Sequence, residues 1–157
     1  MAKKKGGRKP KATPVSPSAP VPKTPASPVS TSGDTPHFCF RWADRATQEA
    51  WAFSPAEDAG ELIAFLYEMS QLTWSAIEAQ QTGGQQRRRK HHSQEISTLE
   101  TAAQNDISKR KLDTRFGETM FRFRVAGGKR LWGFRNGRVF HAIWWDPDHA
   151  VYPTDPN

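Results

Sequence analysis

The C-terminal segment "MFRFRVAGGKRLWGFRNGRVFHAIWWDPDH" (120–149) limits the fold of this chain more than any other stretch. Gly127-Gly128 and Asn136-Gly137 are each two residues long, and each separates two runs rich in apolar residues. Glycine and asparagine tolerate the positive φ angles that tight hairpin turns require. The segment therefore predicts three consecutive antiparallel strands, near 120–126, 129–135 and 138–145.

Upstream of this meander the sequence predicts one more strand and two or three helices. Phe38, Phe40 and Trp42 alternate with polar or small residues, as in a half-buried strand, and a short strand is predicted near 51–53. "SPAE" (54–57) is a capping-box pattern that starts a helix at 55–71, with Ser54 as its N-cap, and Thr73 caps a second helix at 73–80. "STLE" (97–100) starts a third, reaching about 110. The expected class is α+β, a small antiparallel sheet with its helices packed on one face.

The first 36 residues differ in composition from the rest of the chain. They carry seven lysines and arginines and one aspartate, and so hold +6 of the net charge of +7. They also contain eight of the twelve prolines and no aromatic residue. Such a segment buries too little apolar surface to offset the entropy of ordering it. Residues 1–36 are predicted to be a disordered basic tail, and 37–157 a single domain.

The start of the chain also bears on its location. "MAKKKGGRKPKATP" lacks the apolar run of a secretory signal and the length of a membrane span. We therefore expect a cytoplasmic protein with no membrane partner. The single cysteine, Cys39, excludes a disulfide framework.

A second cluster of cations lies between the helices and the meander. "TGGQQRRRKHHSQ" combines a glycine pair with Arg87, Arg88, Arg89, Lys90 and two histidines, and predicts an exposed basic loop at about 81–95. The run is either a phosphate-binding loop or a solvated surface, and its position in a loop is compatible with both.

The register of the meander predicts which of its side chains share a face. With two-residue turns, 126 pairs with 129 and 135 with 138, and side chains alternate between faces along each strand. One face is then apolar, apart from Arg130 and His141, and receives the helices. The other carries five cations and two large aromatics: Arg122, Arg124, Lys129, Arg135, Arg138, Phe140 and Trp144. Cations attract phosphates, aromatic rings stack on bases, and Gly133 permits close approach, so this face predicts nucleic-acid binding; the alternative is a solvated face.

The turn after the third strand holds the residues best suited to proton transfer. Asp146-Pro147 starts a turn, and His149 and Tyr152 follow it. A histidine or tyrosine beside a basic face can act as an acid or a base; the alternative is an ordinary turn with His149 in solvent. No CxxC, HExxH or EF-hand spacing occurs, so no metal or other cofactor is predicted.

The segment "MFRFRVAGGKRLWGFRNGRVFHAIWWDPDHAVYP" resembles the C-terminal meander of the RelE/HigB-type toxin superfamily. The resemblance implies two N-terminal helices on one face of a small antiparallel sheet, with messenger RNA cut at the other face, often on the ribosome. The insertion at 81–118 and the basic tail depart from that pattern. The segment also resembles uncharacterised phage- and plasmid-associated proteins of actinobacteria ending in "WWDPDHxVYP", for which no activity is implied.

Carried over to this chain, the resemblance implies a metal-independent endoribonuclease with RNA or the ribosome as its partner and an antitoxin protein as a further partner. Arg122, Arg124 and Arg135 would hold the scissile phosphate, and Tyr152 or His149 would transfer protons. Two other functions remain open. One is a non-catalytic nucleic-acid-binding module that uses the same face, and the other is a protein-interaction patch formed by Leu131, Phe140 and Trp144.

Overall fold

A computed structural model describes residues 29–54 and 56–152 of the chain. Two helices follow the first strand, a strand and two more helices follow these, and three long strands end the domain. The elements are β1 (His37–Cys39), α1 (Ala59–Ser70), α2 (Trp74–Ala79), β2 (His92–Glu95), α3 (Thr101–Lys109), α4 (Leu112–Phe116), β3 (Thr119–Ala126), β4 (Lys129–Asn136) and β5 (Val139–Asp146).

The strands form one mixed sheet in the order β1-β5-β4-β3-β2. Both predicted hairpins form, and Gly127 and Gly137 adopt the positive φ angles, 48° and 60°, that make glycine suitable there. The first turns at Gly127-Gly128 as predicted. The predicted turn at Asn136-Gly137 is wrong by one residue, because Asn136 still pairs with Val139 and the chain turns at Gly137-Arg138. β1 runs parallel to β5, whereas all other neighbours are antiparallel. The α+β class is confirmed. The sheet has a fifth strand because part of the predicted basic loop, His92–Glu95, pairs with β3. The short strand predicted near 51–53 is wrong, since these residues form turns.

The helices cover both faces of the sheet. On the first face, α1 and α2 pack Leu62, Phe65 and Trp74 against a cluster that includes Phe123 and Leu131. On the second face the buried side chains come from α3, α4, the three long strands and three loop segments: Trp51, Leu99, Ala103, Ile107, Leu112, Met120, Trp132, Phe134, Ile143, Trp144 and Val151. The prediction that the helices pack on one face is therefore wrong. The third predicted helix has an apolar stripe that must be buried, and the second face is where the sheet receives it.

Two irregularities in strand pairing change the predicted faces. Ala126 pairs with Lys129 as expected, but Arg124 pairs with Arg130 because the register shifts by one residue between 124 and 126. A second shift follows Trp132, which pairs with Trp144, whereas Gly133 pairs with Ala142. Paired residues still share a face, but each shift pairs a residue with the neighbour of its predicted partner, which lies on the opposite face.

The predicted basic face therefore does not exist as a unit. Its two aromatics, Phe140 and Trp144, are fully buried, and they belong to the clusters on opposite faces of the sheet. The space beside Gly133, expected to admit a ligand, is filled by the ring of Phe140. The aromatic rings that the sequence analysis assigned to stacking on nucleic-acid bases are therefore packed in the protein core.

The helix ends follow the sequence in part. Thr73 caps α2 as predicted, since its hydroxyl oxygen accepts a hydrogen bond from the Ala76 N–H at 3.3 Å. α1 begins at Ala59, later than the predicted start, and Pro55 lies outside the described residues. The third predicted helix corresponds to α3, which begins at Thr101, after the predicted start. The sequence does not predict α4, which follows Lys111, a residue with a left-handed φ of 55°.

The predicted basic tail falls mainly on residues 1–28, which lie outside the described part of the chain. Its last residues contact the domain, because the Trp74 N–H donates to the Asp34 carbonyl and the Ser75 N–H donates to the Ser32 carbonyl, each at 2.9 Å. Within the described ranges, no helix combines the length and the apolar character needed to cross a bilayer.

Candidate functional site

A cavity of about 720 Å³ opens at one end of the second face. Its lining comes from β2, β3, β4, the loop before β2 and the turn after β5, and no residue of α3 or α4 takes part. Six of the lining residues are cations: Arg88, Arg89, Lys90, Arg122, Arg124 and Arg130. The remaining ones include His92, His149 and Tyr152. The cavity therefore combines a high density of positive charge with side chains that can exchange protons.

Strand pairing places three of these arginines side by side on the sheet. Arg124 and Arg130 are direct partners across β3 and β4, and Arg122 pairs with Trp132 on β4 and with His92 on β2. Residues two apart on a strand share a face, so Arg122 and Arg124 both point toward the cavity. The backbone of a buried sheet thus fixes the origin of all three side chains.

Arg122 is held between two histidines. Its Nη2 donates to His92 Nε2 at 2.6 Å, and its Nη1 lies 3.4 Å from His149 Nε2. The guanidinium also lies 5.6 Å from the ring centre of Trp132 and 6.0 Å from that of Tyr152. Its buried Nε has no hydrogen-bond partner among the described residues. Arg122 is thus immobilised by uncharged groups and keeps its positive charge available.

The hydrogen bonds define the protonation of both histidines. Arginine only donates, so the Nε2 atoms that face Arg122 carry lone pairs. In His92 the proton sits on Nδ1, which donates to the Ser93 carbonyl at 2.9 Å. Burial and the nearby arginines lower the pKa of both His92 and His149 below the usual 6.5. Both rings are therefore neutral at pH 7, and His149, with the longer contact, has the more accessible lone pair.

In the described part of the chain, the cations of the cavity lack acidic partners. Among the described residues, no carboxylate oxygen lies within 4 Å of any of the six. Arg130, only 7% exposed, donates instead to the carbonyls of Gly127 and Lys129. Burial and the charges of Arg122 and Arg124 lower its pKa to about 10. Such crowding of like charges costs free energy, which a bound anion would recover.

Asp146 builds the turn that carries His149 and Tyr152. Its fully buried carboxylate accepts hydrogen bonds from Trp132 Nε1 at 3.2 Å, from the Ala150 N–H at 2.7 Å and from the Val151 N–H at 3.2 Å. His149 adopts a left-handed φ of 60° in this turn. The carboxylate thus orients the turn, and its charge is already shared among these donors.

The wall of the cavity is a short hairpin that precedes β2. The Lys90 N–H donates to the Gln80 carbonyl, the Thr82 N–H donates to the Arg88 carbonyl, both at 2.8 Å, and Gln81 pairs with Arg89. The paired base of this hairpin places Arg88, Arg89 and Lys90 beside the sheet arginines.

His91 anchors the hairpin to the sheet. It is fully buried, its Nδ1 accepts from the Arg124 N–H at 3.1 Å, and its Nε2–H donates to the Gln80 side chain at the same distance. Burial, reinforced by neighbouring cations, lowers its pKa to about 3. A proton on Nδ1 would oppose the Arg124 N–H directly. The position of the wall therefore requires a neutral His91.

We expect acid to destabilise the protein through His91. Its pKa is lower in the folded state than in the unfolded state, so between pH 6.5 and 3 the unfolded chain binds more protons and stability falls as pH falls. One such proton contributes about 1.4 kcal/mol per pH unit. Urea unfolding at pH 7, 6, 5 and 4 measures the slope. His91→Gln should lower stability at pH 7 and reduce the slope by that amount; an unchanged slope would contradict the assignment.

The structure brings together some of the residues singled out from the sequence and separates others. The cavity collects Arg122, Arg124, His149, Tyr152, Arg88, Arg89 and Lys90. Arg135 lies on the first face, where it pairs with Glu78 at 2.7 Å and stacks on Trp74. Lys129 pairs with Glu61 of α1 and with Asp58, which immediately precedes this helix. Arg138 and Arg87 are exposed and do not line the cavity, and Phe140 and Trp144 are core residues.

Sequence reasoning missed Arg130 and His92. Arg130 was assigned to the apolar face, and only the register shift at 124–126 brings it next to Arg124. His92 belongs to the run of cations and histidines that was interpreted as a loop, and its role depends on pairing with Arg122. One signal could have identified Arg130: it is the only arginine among the predicted core positions, and arginine is rarely buried unless it is paired.

Within residues 29–54 and 56–152, no group of three or more His, Cys, Asp or Glu side chains is arranged to hold a metal ion. The chain was also compared with known proteins. Searches against protein-family models, curated protein sequences and solved structures each gave no match.

Proposed function

We propose that this protein is a metal-independent endoribonuclease of the RelE-like type and that the cationic cavity is its active site. The observation that carries the proposal is the convergence of six cations, which have no acidic partner among the described residues, on a space that also holds two neutral histidines and a tyrosine. Cations without counterions favour a polyanion, and the neutral histidines supply a base at pH 7.

The proposed reaction is an internal transesterification of RNA. His149 accepts the proton of a ribose 2′-hydroxyl, and the 2′ oxygen bonds to the adjacent phosphorus. The bond from phosphorus to the 5′ oxygen breaks, and that oxygen takes the proton of the Tyr152 hydroxyl. The products are a 2′,3′-cyclic phosphate and a 5′-hydroxyl end. No atom or electron is needed from a metal or cofactor.

Arg122 and Arg130 would stabilise the charge that develops on the phosphate. Their guanidiniums are fixed before substrate arrives, Arg122 by the two histidines and Arg130 by two backbone carbonyls. Fixed donors cost no reorganisation in the transition state, which makes them effective catalysts. His92 acts as a positioning residue, because its lone pair is occupied by Arg122 at 2.6 Å.

The arrangement of the helices gives separate support. The RelE/HigB-type resemblance implies two N-terminal helices on one face and cleavage at the other. Here α1 and α2 pack on the first face, and the cavity opens on the second. The inserted α3 and α4 cover the rest of the second face and leave the cavity open.

The test is cleavage of single-stranded RNA by the purified full-length protein in the presence of EDTA, with free RNA and with translating ribosomes. We expect new 2′,3′-cyclic phosphate and 5′-hydroxyl ends. His149→Gln should slow cleavage about 100-fold, the usual contribution of a general base. His37→Gln is the matched control, since His37 is exposed on β1 and does not line the cavity.

Intact RNA in both assays would overturn the proposal. If the protein nevertheless bound RNA with a steep dependence on salt, the cavity would belong to a non-catalytic nucleic-acid-binding module. Binding that is insensitive to salt would instead indicate a protein partner, because phosphate contacts weaken as salt rises.

A further inference from the structure

A second depression adjoins the cationic cavity. Its volume is about 330 Å³, and it is lined by Gln81, Thr82, Gly83, Lys90 and Arg124. Three of these residues, Thr82, Lys90 and Arg124, also line the cavity. The two spaces are therefore neighbours that share one wall, and both cations of that wall face each of them.

The two spaces differ in chemical character. The cavity contains the arginines of the sheet, the histidines and Tyr152, whereas the far side of the second depression offers an amide, from Gln81, and the exposed backbone of Gly83. An amide side chain and free backbone groups make hydrogen bonds to uncharged partners, such as the edge of a base or a ribose hydroxyl. From the cavity to the second depression, the lining therefore changes from the sheet arginines to the two shared cations and then to uncharged polar groups.

The shared wall is held rigidly. The Arg124 N–H donates to the buried His91 ring at 3.1 Å, and the Lys90 N–H donates to the Gln80 carbonyl at 2.8 Å. The Thr82 hydroxyl accepts from the Arg88 N–H at 3.3 Å. Because these hydrogen bonds fix the backbone, the fold itself sets the spacing between this wall and the sheet arginines.

We infer that the site takes a single-stranded oligonucleotide with at least two consecutive phosphates. One phosphate lies in the cavity at Arg122 and Arg130, the next lies at the wall formed by Arg124 and Lys90, and the nucleoside beyond it occupies the second depression next to Gln81. This inference rests on the proposed function and adds to it a second subsite, supplied by the hairpin before β2.

The test compares two RNA ligands that carry 2′-O-methyl groups and so resist cleavage: a dinucleoside monophosphate and a trinucleoside diphosphate. Affinity is measured at several salt concentrations with the full-length protein. A second phosphate contact adds an increment to the slope of log affinity against log salt. We expect this increment between the two ligands for the wild type and for Arg87→Gln, and its loss in Lys90→Gln.

Arg87→Gln is the matched control because Arg87 belongs to the same hairpin, is exposed and lines neither space, while the change removes the same charge. An increment that persists in Lys90→Gln, or that is missing in the wild type, would overturn the second subsite. The proposed function is judged separately by the one-phosphate ligand. If Arg122→Gln binds that ligand as tightly as the wild type does, the cavity is not the phosphate site.

Discussion

Arg122→Gln is expected to reduce RNA cleavage about 1,000-fold at neutral pH, as removal of a fixed transition-state donor does in other enzymes. Arg122 is the centre of the site, since its guanidinium contacts both His92 and His149 and lies near Tyr152. Glutamine preserves a polar side chain but removes the charge and the planar fork that binds a phosphate through two oxygens. The measurement is the single-turnover cleavage rate, with folding checked by circular dichroism.

Arg135→Gln is the decisive comparison. From the sequence, Arg122 and Arg135 have the same predicted role on the same face. The structure places Arg135 on the first face, where it is paired with Glu78 and stacked on Trp74, so this variant should cleave RNA at the wild-type rate per folded molecule. Its ion pair is partly exposed, and its loss should cost no more than about 1 kcal/mol of stability. Equal losses of activity in the two variants would contradict the assignment of the site to the second face.

Local signals in the sequence were sufficient for the hairpins. Gly127 and Gly137 favour a turn through their own backbone preferences, and Thr73 caps α2 with its own hydroxyl. These features depend on residues within a few positions of each other. For this reason the three long strands and the two first helices were predicted close to their observed positions.

The strand β2 shows where such signals end. Its residues, His92–Glu95, are polar and carry no β-branched or aromatic side chain, so nothing local favours a strand. They form one because β3 offers an unpaired edge beside them and because His91, immediately before, is buried between Phe65 and Phe123. The cavity therefore also depends on tertiary contacts, since β2 supplies one of the histidines that hold Arg122.

The faces of the meander depend in the same way on packing. An uninterrupted register put Arg122 and Arg124 on the same surface as Arg135 and placed Arg130 in the core. Two register shifts undo that assignment, and neither has a local signature, because a shift is favoured by what the side chains meet across the sheet. The large buried side chains near the second shift, Trp132 and Trp144, lie opposite each other and contribute to the core of the second face.

Gly133→Ala is expected to destabilise the protein by about 3 kcal/mol or more, at the upper end of the cost of overpacking a core. A Cβ atom at this position would lie 2.2 Å from the His141 carbonyl oxygen and 2.6 Å from the ring of Phe140. A ring can rotate away, but a backbone oxygen moves only if β5 moves. The measurement is the free energy of unfolding in urea.

Gly60→Ala is the matched control, because the same methyl group is added in α1 where it meets nothing within 4 Å. It should leave stability unchanged or raise it by about 0.5 to 1 kcal/mol, since alanine favours helix more than glycine does. Two variants of equal stability would show that β4 and β5 do not approach as closely at Gly133 as described.

The consequence of Gly133→Ala should extend to the site. Gly133 lies next to the second register shift, and on the same strand Trp132 donates to Asp146, whose carboxylate holds the turn with His149 and Tyr152. A displacement of β5 from β4 would therefore move the turn relative to Arg122 and Arg130. At a temperature where the variant is still folded, we expect RNA affinity to fall while the affinity of Gly60→Ala is unchanged. Unaltered RNA affinity in folded Gly133→Ala would mean that the turn keeps its place without the close contact of β4 and β5.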